Sequence, residues 1–519
     1  MSFLVSHYAH LLIRQLITLL GQSGDYCLGT FEDKAEGQPP TKIPLSAWKV
    51  LAILSSLATM VMYAETMLIP ALPDLIREFS VPYNMSSWIL SAYLIPGAIM
   101  TPIAGKLSDI YGRKKILLVV MAVYALGIAM AGFADNIYLL FVSRAIQGIG
   151  ISMFVIAFSI IRDQFPREKI SIGQGIISSM FASGAVLGLL MGGFIVSNFG
   201  WRATFMSCIP ITIALFITIW RFNYSVKPPP DNMKPRSSRT VDIKGAITLA
   251  VFVTSFLVAL TLVETEEGFG RDKMALFLSA GGISLAVFIM IEKRSKEPLV
   301  ELRLIAHKVI LPANLIIMVV GFSMFMVFQT IPVLVRNPVP LGFGGDATTV
   351  SYIQLPFAIV LLVFGPTSGL IVSRLGSIKP IIIGTAITAA GFFGLLTFHQ
   401  DWIAVTVNLA ILSTGLSLTN VGAMNVTILA TPPEFTGMSL GMNNLMRILG
   451  SSIGPTLAGV YMQTYHASLQ VAGTRMMFPS MQAYSMIFLT AMALSIFSVA
   501  LALFLRRKTA QMSIPNLTR

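Results

Sequence analysis

The chain has 519 residues, 55% hydrophobic and 11% charged, with a net charge of +13 and a mean hydropathy of +0.78. So little charge cannot cover a soluble globule of this size, which excludes a soluble enzyme or binding domain and leaves a polytopic membrane protein. The basic excess does not indicate nucleic acid, because its distribution follows the membrane. With a cytoplasmic amino terminus and one crossing per apolar run, 28 of the 36 Lys and Arg fall on the cytoplasmic side. Arg77, Arg202, Arg271, Lys273, Arg336 and Arg475 lie outside, and Arg144 and Arg447 lie within spans. That asymmetry predicts both termini in the cytoplasm of a plasma membrane. Cys27 and Cys208 give neither a disulfide framework nor a metal site, and the five His are scattered. No cofactor is implied.

In chain order, residues 1–44 form a tail whose apolar part, Phe3 to Leu20, is interrupted by His7, His10 and Arg14. It either lies on the membrane surface or is sequence upstream of the true start; both readings stay open. Six spans follow at about 48–72, 85–104, 115–134, 137–161, 172–197 and 201–220, giving an N-terminal bundle over 45–226. Residues 227–308 hold a proline-rich linker (Pro228, Pro229, Pro230) and two extra spans, about 243–263 and 274–291, joined by an acidic outer loop. Six more spans, about 309–335, 350–373, 377–398, 402–430, 437–462 and 482–505, form a C-terminal bundle over 309–508, and a short cytoplasmic tail, 509–519, ends the chain. The predicted fold is all-α: two pseudo-symmetric six-helix bundles with two extra helices between them, fourteen spans in all.

An internal repeat supports this layout. Gly175, Gly184, Gly188, Gly192 and Gly193 lie in the fifth span, and steps of four place three of them on one helix face where a second backbone can approach closely. A shift of 266 residues finds Gly441, Gly450, Gly454, Ala458 and Gly459; a shift of 264 carries Pro102, Gly105, Gly112 and Lys115 onto Pro366, Gly369, Gly376 and Lys379. The excess over six short-looped helices is the middle pair. Its even number of spans keeps both halves in the same orientation, as parallel repeats require.

The loop after the second span runs Gly105, Lys106, Leu107, Ser108, Asp109, Ile110, Tyr111, Gly112, Arg113, Lys114, Lys115. It resembles the cytoplasmic loop signature of the major facilitator superfamily. Arg144, Gln147, Gly148 and Gly150 resemble that superfamily's fourth-span arginine motif, the fifth-span glycines its antiporter motif, and Trp201, Arg202 and Phe205 the opening of its sixth span. With fourteen spans the resemblance is to the drug:proton antiporter family with fourteen helices, over about residues 45–508. Two positions depart from it: Leu189 stands for the usual proline, which the repeat keeps as Pro455, and Glu65 for the usual aspartate. The resemblance implies that Asp109 meets the start of the thirteenth span near Thr436, where a helix dipole favours an anion, and that Arg113 pairs with Asp163. Such contacts would latch one side of an alternating-access cycle; otherwise the basic loop only fixes topology.

Charges inside spans are costly and therefore informative. Glu65 and Arg144 each lie seven residues from the outer end of their span, roughly 10 Å deep at 1.5 Å per residue. They form either a static ion pair or a proton site. Burial favours a protonated carboxyl and a nearby guanidinium an ionised one, so a change in their separation can load or release a proton. Arg447 has no evident carboxylate partner in the sequence; it meets a substrate anion or backbone carbonyls. Sparse polar groups (Tyr63, Tyr93, Gln147, Gln329, Tyr352, Gln354, Asn425 and Arg447) are candidates for a substrate cavity among 29 Met and 33 Phe that can repack around varied ligands.

These features predict a proton-coupled efflux antiporter of lipophilic or amphipathic small molecules. Its partners are the substrate, protons and the lipid bilayer, not nucleic acid, and the expected functional unit is a monomer. A transporter of one metabolite on the same fold (a sugar, an organic acid or a peptide-like compound) is the alternative. A membrane enzyme or sensor is disfavoured, because the long loops carry no nucleophile motif, metal-ligand cluster or output domain.

Overall fold

The computed structural model describes residues 43–166, 170–221, 242–262, 268–295, 298, 307–431, 436–471 and 474–511; within these the side chains of some residues, Asp109 and Thr436 among them, are not described. The expected tail, most of the proline-rich linker and the acidic loop near 264–267 lie outside the described residues.

The first half begins with α1 (Leu45–Thr66), which gives way to a 3-10 turn at Ile69–Ala71 and then α2 (Leu72–Glu78). The first span is therefore broken just after Glu65, in a stretch carrying Pro70 and Pro73, neither of which can donate a helical hydrogen bond. α3 (Tyr83–Ser86), α4 (Trp88–Tyr111), α5 (Arg113–Gly132) and α6 (Ile137–Gly148) follow, α6 capped by the Asn136 carboxamide, which accepts from the Leu139 amide at 2.8 Å. A 3-10 segment at Ile149–Ser152 then leads into α7 (Met153–Gln164), α8 (Ile170–Phe199) and α9 (Trp201–Arg221). The extra pair is α10 (Ile243–Thr261), capped by Asp242, and α11 (Gly268–Arg294). The second half comprises α12 (Ile310–Arg336), α13 (Ala347–Leu375), α14 (Ile378–Phe398), α15 (Trp402–Leu429), α16 (Thr436–Thr464) and α17 (Met481–Gln511).

Among the described residues eleven helical stretches are long and apolar enough to cross a membrane, against the fourteen spans expected. The other three expected spans coincide with α4, α10 and α16. The apolar part of α10, Lys244–Leu260, is shorter, and α16 carries Asn443, Asn444 and Arg447 among its apolar residues. One element was not expected: an antiparallel hairpin of β1 (His466–Val471) and β2 (Thr474–Pro479) between the last two helices.

The two halves share one pairing scheme. α1 packs on α8 as α12 packs on α16; α4 on α6 as α13 on α15; α5 on both α6 and α9 as α14 on both α15 and α17. The turn after the second helix of each half is made by a glycine of positive φ, Gly112 at 96° and Gly376 at 75°, a region that L side chains enter only with strain. The halves meet through α8 against α13 and α4 against α16, and the extra helix α10 leans on α4 and α16.

The fifth-helix glycines are where backbones touch. A Cβ on Gly184 would meet the carbonyl of Thr59, one on Gly188 would lie 2.6 Å from the carbonyl of Tyr63, and one on Gly192 2.7 Å from the Cα of Met67, so this face is what lets α8 lie directly on α1. Gly450 and Gly454 do the same for α16 on α12, at the carbonyls of Met318 and Phe322. The last glycine of each series faces the other half. Gly193 abuts Ala347 and Ser351 at the start of α13, and Gly459 abuts Tyr83 and Asn84 at α3.

Candidate functional site

The site is built where α1 runs out. Glu65 is 7% exposed, on the last turn of α1. Its carboxyl lies within electrostatic reach of two guanidinium groups, Arg447 from the second half and Arg144 from its own, and beside the Tyr93 hydroxyl. Among the described residues Glu65 makes no ion pair within 4 Å, so the expected contact pair with Arg144 is absent. Arg447 likewise makes no ion pair within 4 Å among the described residues, although Glu65 lies within its electrostatic reach.

The reason is visible at Arg144. This side chain is fully buried, donates from Nε to the Ile89 carbonyl at 3.2 Å and from one terminal nitrogen to Gln147 Oε1 at 3.0 Å, and lies 4.4 Å from the centre of the Tyr93 ring. Cation–π contact and neutral acceptors thus hold the guanidinium to α4 and α6, and its other terminal nitrogen is buried without a hydrogen bond. Gln147 completes the frame by donating to the Gly127 carbonyl at 3.0 Å. Two glycines make the frame possible: a Cβ on Gly127 would lie 2.8 Å from the Gln147 amide nitrogen, and one on Gly148 would overlap the Tyr93 carbonyl. Tyr124 is buried in the same neighbourhood.

Arg447 is held differently. It is half-buried on α16, and one terminal nitrogen donates to Asn444 Oδ1, one helical turn back, at 2.9 Å. Its helix is fastened to the Tyr93 helix by Ser91, whose hydroxyl donates to the Ser452 carbonyl at 3.1 Å.

The remaining cavity candidates lie elsewhere. Tyr63 shares a hydrogen bond with Ser207 at 3.2 Å, tying α1 to α9. Gln329 is buried and donates to Ser86 at 2.9 Å across the halves. Tyr352 is 62% exposed on α13. Gln354 is buried with neither amide atom hydrogen-bonded. Asn425 donates to Ser377 at 2.7 Å beside the Gly376 turn. Of the expected site residues, the fold therefore gathers Glu65, Tyr93, Arg144, Gln147 and Arg447. Sequence reasoning missed Tyr124, Gly127 and Asn444; the i, i+3 spacing of Asn444 and Arg447 was the readable signal for the last.

At the turn side, Arg113 pairs with Asp163 and donates to the Ser159 carbonyl at 2.6 Å. Gly105 lies nearly two turns before the end of α4, where a Cβ would come 3.2 Å from Val155. The Asp109 side chain and its expected neighbour Thr436 lie outside what the structure describes, and Gly175 is placed in α8 by its backbone alone. At the hairpin side the halves are bolted together. Arg336 pairs with Asp74, one arm at 2.7 Å; the Tyr83 amide donates to Gln463 at 3.1 Å; Thr348 bonds Ser197 at 2.9 Å; and Ser351 donates to the Leu189 carbonyl at 2.6 Å. Trp201 and Arg202 both bind Glu78 at 2.6 Å, bracing α9 against α2.

Comparison with known proteins agrees with this architecture. The profile of the Major Facilitator Superfamily matches residues 54–335 and 313–518. The chain is 27% identical over 425 residues to the tetracenomycin C resistance and export protein of Streptomyces glaucescens, covering 80% of this chain and 76% of that one. It is 26% identical to the multidrug transporter protein MdtP of Bacillus subtilis, over 77% and 72% of the two chains. An uncharacterized MFS-type transporter of Mycobacterium tuberculosis is also 26% identical, over 76% of this chain, which spans 56% of that longer protein. In fold it resembles a crystal structure of the POT family transporter PepTSo, at a TM-score of 0.63 and 12% identity over 91% of this chain and 99% of that one. It also resembles the human organic anion transporter MFSD10, at 0.57 and 15% over 90% and 100%. On its sequence, its paired six-helix halves and this match, the chain belongs to the major facilitator superfamily.

Proposed function

We propose that the protein is a proton-coupled, alternating-access antiporter that exports lipophilic or amphipathic small molecules across a plasma membrane, working as a monomer with both termini in the cytoplasm. Bundles 45–226 and 309–508 are the moving halves, and 227–308 is the linker with its helix pair. The observation that carries the reading is Glu65: it is a buried carboxyl on α1 within electrostatic reach of a guanidinium from each half. A carboxyl so placed is neutralised by a proton in one state and by arginine in another, which is how a proton can be exchanged for a substrate. Relatives named for tetracenomycin C export and multidrug transport support the export direction. The hairpin-side contacts support a conformation shut toward the exterior, and the turn-side pair Arg113–Asp163 serves as part of the opposite latch.

Glu65→Gln tests this reading, because it keeps size and hydrogen bonding but removes titration. In proteoliposomes with an imposed proton gradient, efflux of ethidium and of tetracenomycin C is expected to fall to the leak rate in the Gln variant. Glu65→Asp should retain it with a displaced pH profile. Equal gradient-driven efflux from wild type and Glu65→Gln would remove Glu65 as the carrier.

A further inference from the structure

The second half encloses a small cavity near the middle of its helices, between α12, α14, α15 and α17. Six hydroxyl groups line it: Ser323 from α12, Thr385 and Thr388 from α14, Thr419 from α15, and Ser495 and Ser498 from α17, each at most 4% exposed. A buried hydroxyl without a partner is costly in such surroundings. Four of the six are satisfied one helical turn back. Thr385, Thr388, Thr419 and Ser495 donate to the carbonyls of Ile381, Gly384, Gly415 and Ala491 at 2.8–2.9 Å. Their protons are spent, but each oxygen keeps a lone pair that can accept. Ser323 and Ser498 differ: their hydroxyl oxygens are buried and have no hydrogen-bond partner within the protein. The cavity thus presents two hydroxyls with protons to give and four oxygens able only to accept. The duplication shows how the space arises. In the first half a Cβ on Gly150 would meet the ring of Tyr124; in the second, one on Gly415 would lie 2.5 Å from the Thr388 hydroxyl. Tyr124 stands three residues before Gly127 and Thr388 three before Gly391, so the two are one position in the two copies. A phenol occupies it in the first half, and the shorter threonine leaves space in the second.

We propose that this cavity is a binding site for a single ordered water molecule, which ties α12 to α17 in the core of the second half. The space is about that of one water. A water accepts from the Ser323 and Ser498 hydroxyls and donates to two of the four accepting oxygens, so its own bonds and both unpartnered hydroxyls are satisfied together. A monovalent cation fits less well. Among the described residues the lining holds no charged side chain, and a cation there would be buried without a counter-charge. The position of the bridge gives it a role. α12 carries Arg336, which pairs with Asp74 of the other half, whereas α17 turns Leu489, Ile496 and Phe497 outward. The water therefore lies between a helix at the seam and a helix of the outer layer. It can trade acceptors among four oxygens, so α12 can shift against α17 without leaving a hydroxyl unpaired.

The test needs no substrate. The purified full chain in detergent is exposed to a short X-ray pulse, which splits bound water in place into hydroxyl radicals that oxidise adjacent side chains. Mass spectrometry should find oxidation at Ile316 and Leu416, lining residues that are 0% and 2% exposed and so beyond the reach of radicals from bulk solvent. The signal should fall severalfold when Ser323→Ala and Ser498→Ala are combined. No oxidation at either residue in the wild type overturns the proposal, and so does a signal that the double variant leaves unchanged. Melting temperature supplies an independent sign. With a water in place, each single Ser→Ala change removes a bonded hydroxyl and should lower the melting temperature by about 1–2 °C. Without one, it removes an unsatisfied buried group and raises it, so a rise in either variant overturns the proposal. Replacing choline by sodium at constant ionic strength should leave the wild-type value unchanged. A rise in sodium that both variants lose would make the occupant a cation and overturn the proposal as well.

Discussion

The two six-helix halves share a skeleton and differ in their interior chemistry. In the first half a Cβ on Gly148 would meet the Tyr93 carbonyl; in the second, the hydroxyl of Ser413 reaches the Phe357 carbonyl at 2.7 Å. Gly127 meets the Gln147 amide nitrogen, and Gly391 meets that of Leu412. By these contacts Tyr93 corresponds to Phe357, Gln147 to Leu412 and Arg144 to Leu409, which is fully buried. Along the first helices, Gly188 at Tyr63 and Gly454 at Phe322 set a correspondence that carries Glu65 onto Met324. The Gly112 turn is pinned by Arg113 and Asp163, the Gly376 turn by Ser377 and Asn425. The framework is thus duplicated and the charge is not. Small residues hold the backbone contacts in both copies, with Ser413 at the position of Gly148 and Ala458 at that of Gly192. A buried charge costs free energy wherever it stands, and the second half carries Leu409 and Met324 where the first has Arg144 and Glu65.

Making the first half resemble the second tests this division most severely. Arg144→Leu installs the residue found at the matching position. Transport driven by a proton gradient should be lost and thermal stability should fall, because the Ile89 carbonyl and Gln147 lose a buried donor. A melting temperature lowered together with intact coupling would make Arg144 a structural residue.

The glycine framework should respond equally in both halves. Gly188→Val and Gly454→Val each force a side chain against backbone, at Tyr63 and Phe322 respectively, and should each cost about 1–3 kcal/mol and block exchange. Gly441→Val, at a site with nothing within 4 Å of a Cβ, is the control. Unequal losses at 188 and 454, read from unfolding midpoints in one detergent, would break the symmetry of the framework.

Asp163→Asn replaces the ion pair at the first turn with neutral contacts like those at the second. Membrane insertion should be unchanged, since the Lys and Arg that set topology remain, and transport in proteoliposomes should fall partially. Wild-type rates would leave the basic turn with topology alone.

The smallest effect is expected at a cap. Asp346 accepts from both the amide and the hydroxyl of Thr349 at the start of α13, at 2.8 and 2.7 Å. The Thr349 hydroxyl above all, aided by backbone amides and Arg336, holds its carboxyl below the usual aspartate range. Asp346→Ala should cost ~1 kcal/mol at neutral pH. Because the folded value is the lower one, that contribution is present above the ordinary aspartate range and fades as pH falls through the folded value. The gap between the two proteins' unfolding midpoints should therefore narrow in acid.

Much of this was legible along the chain. Apolar runs and the Lys and Arg asymmetry mark membrane helices because hydrocarbon solvates no charge. The glycine shift of 266 residues exposes the duplication because close backbone contacts require small residues, which both copies keep. Glu65, Arg144 and Arg447 stood out as intramembrane charges, and the Arg113–Asp163 pair followed from the family resemblance. Contacts between distant helices decided the rest. That Arg144 spends its hydrogen bonds on Ile89 and Gln147, and makes no contact pair with Glu65, depends on how α1, α4 and α6 converge. Tyr352 and Gln354, two residues apart, read alike as polar residues in a span, yet the packing leaves one exposed and the other buried. A sequence records which side chains are charged, but their partners are chosen by helix packing, and packing is a property of the assembled fold.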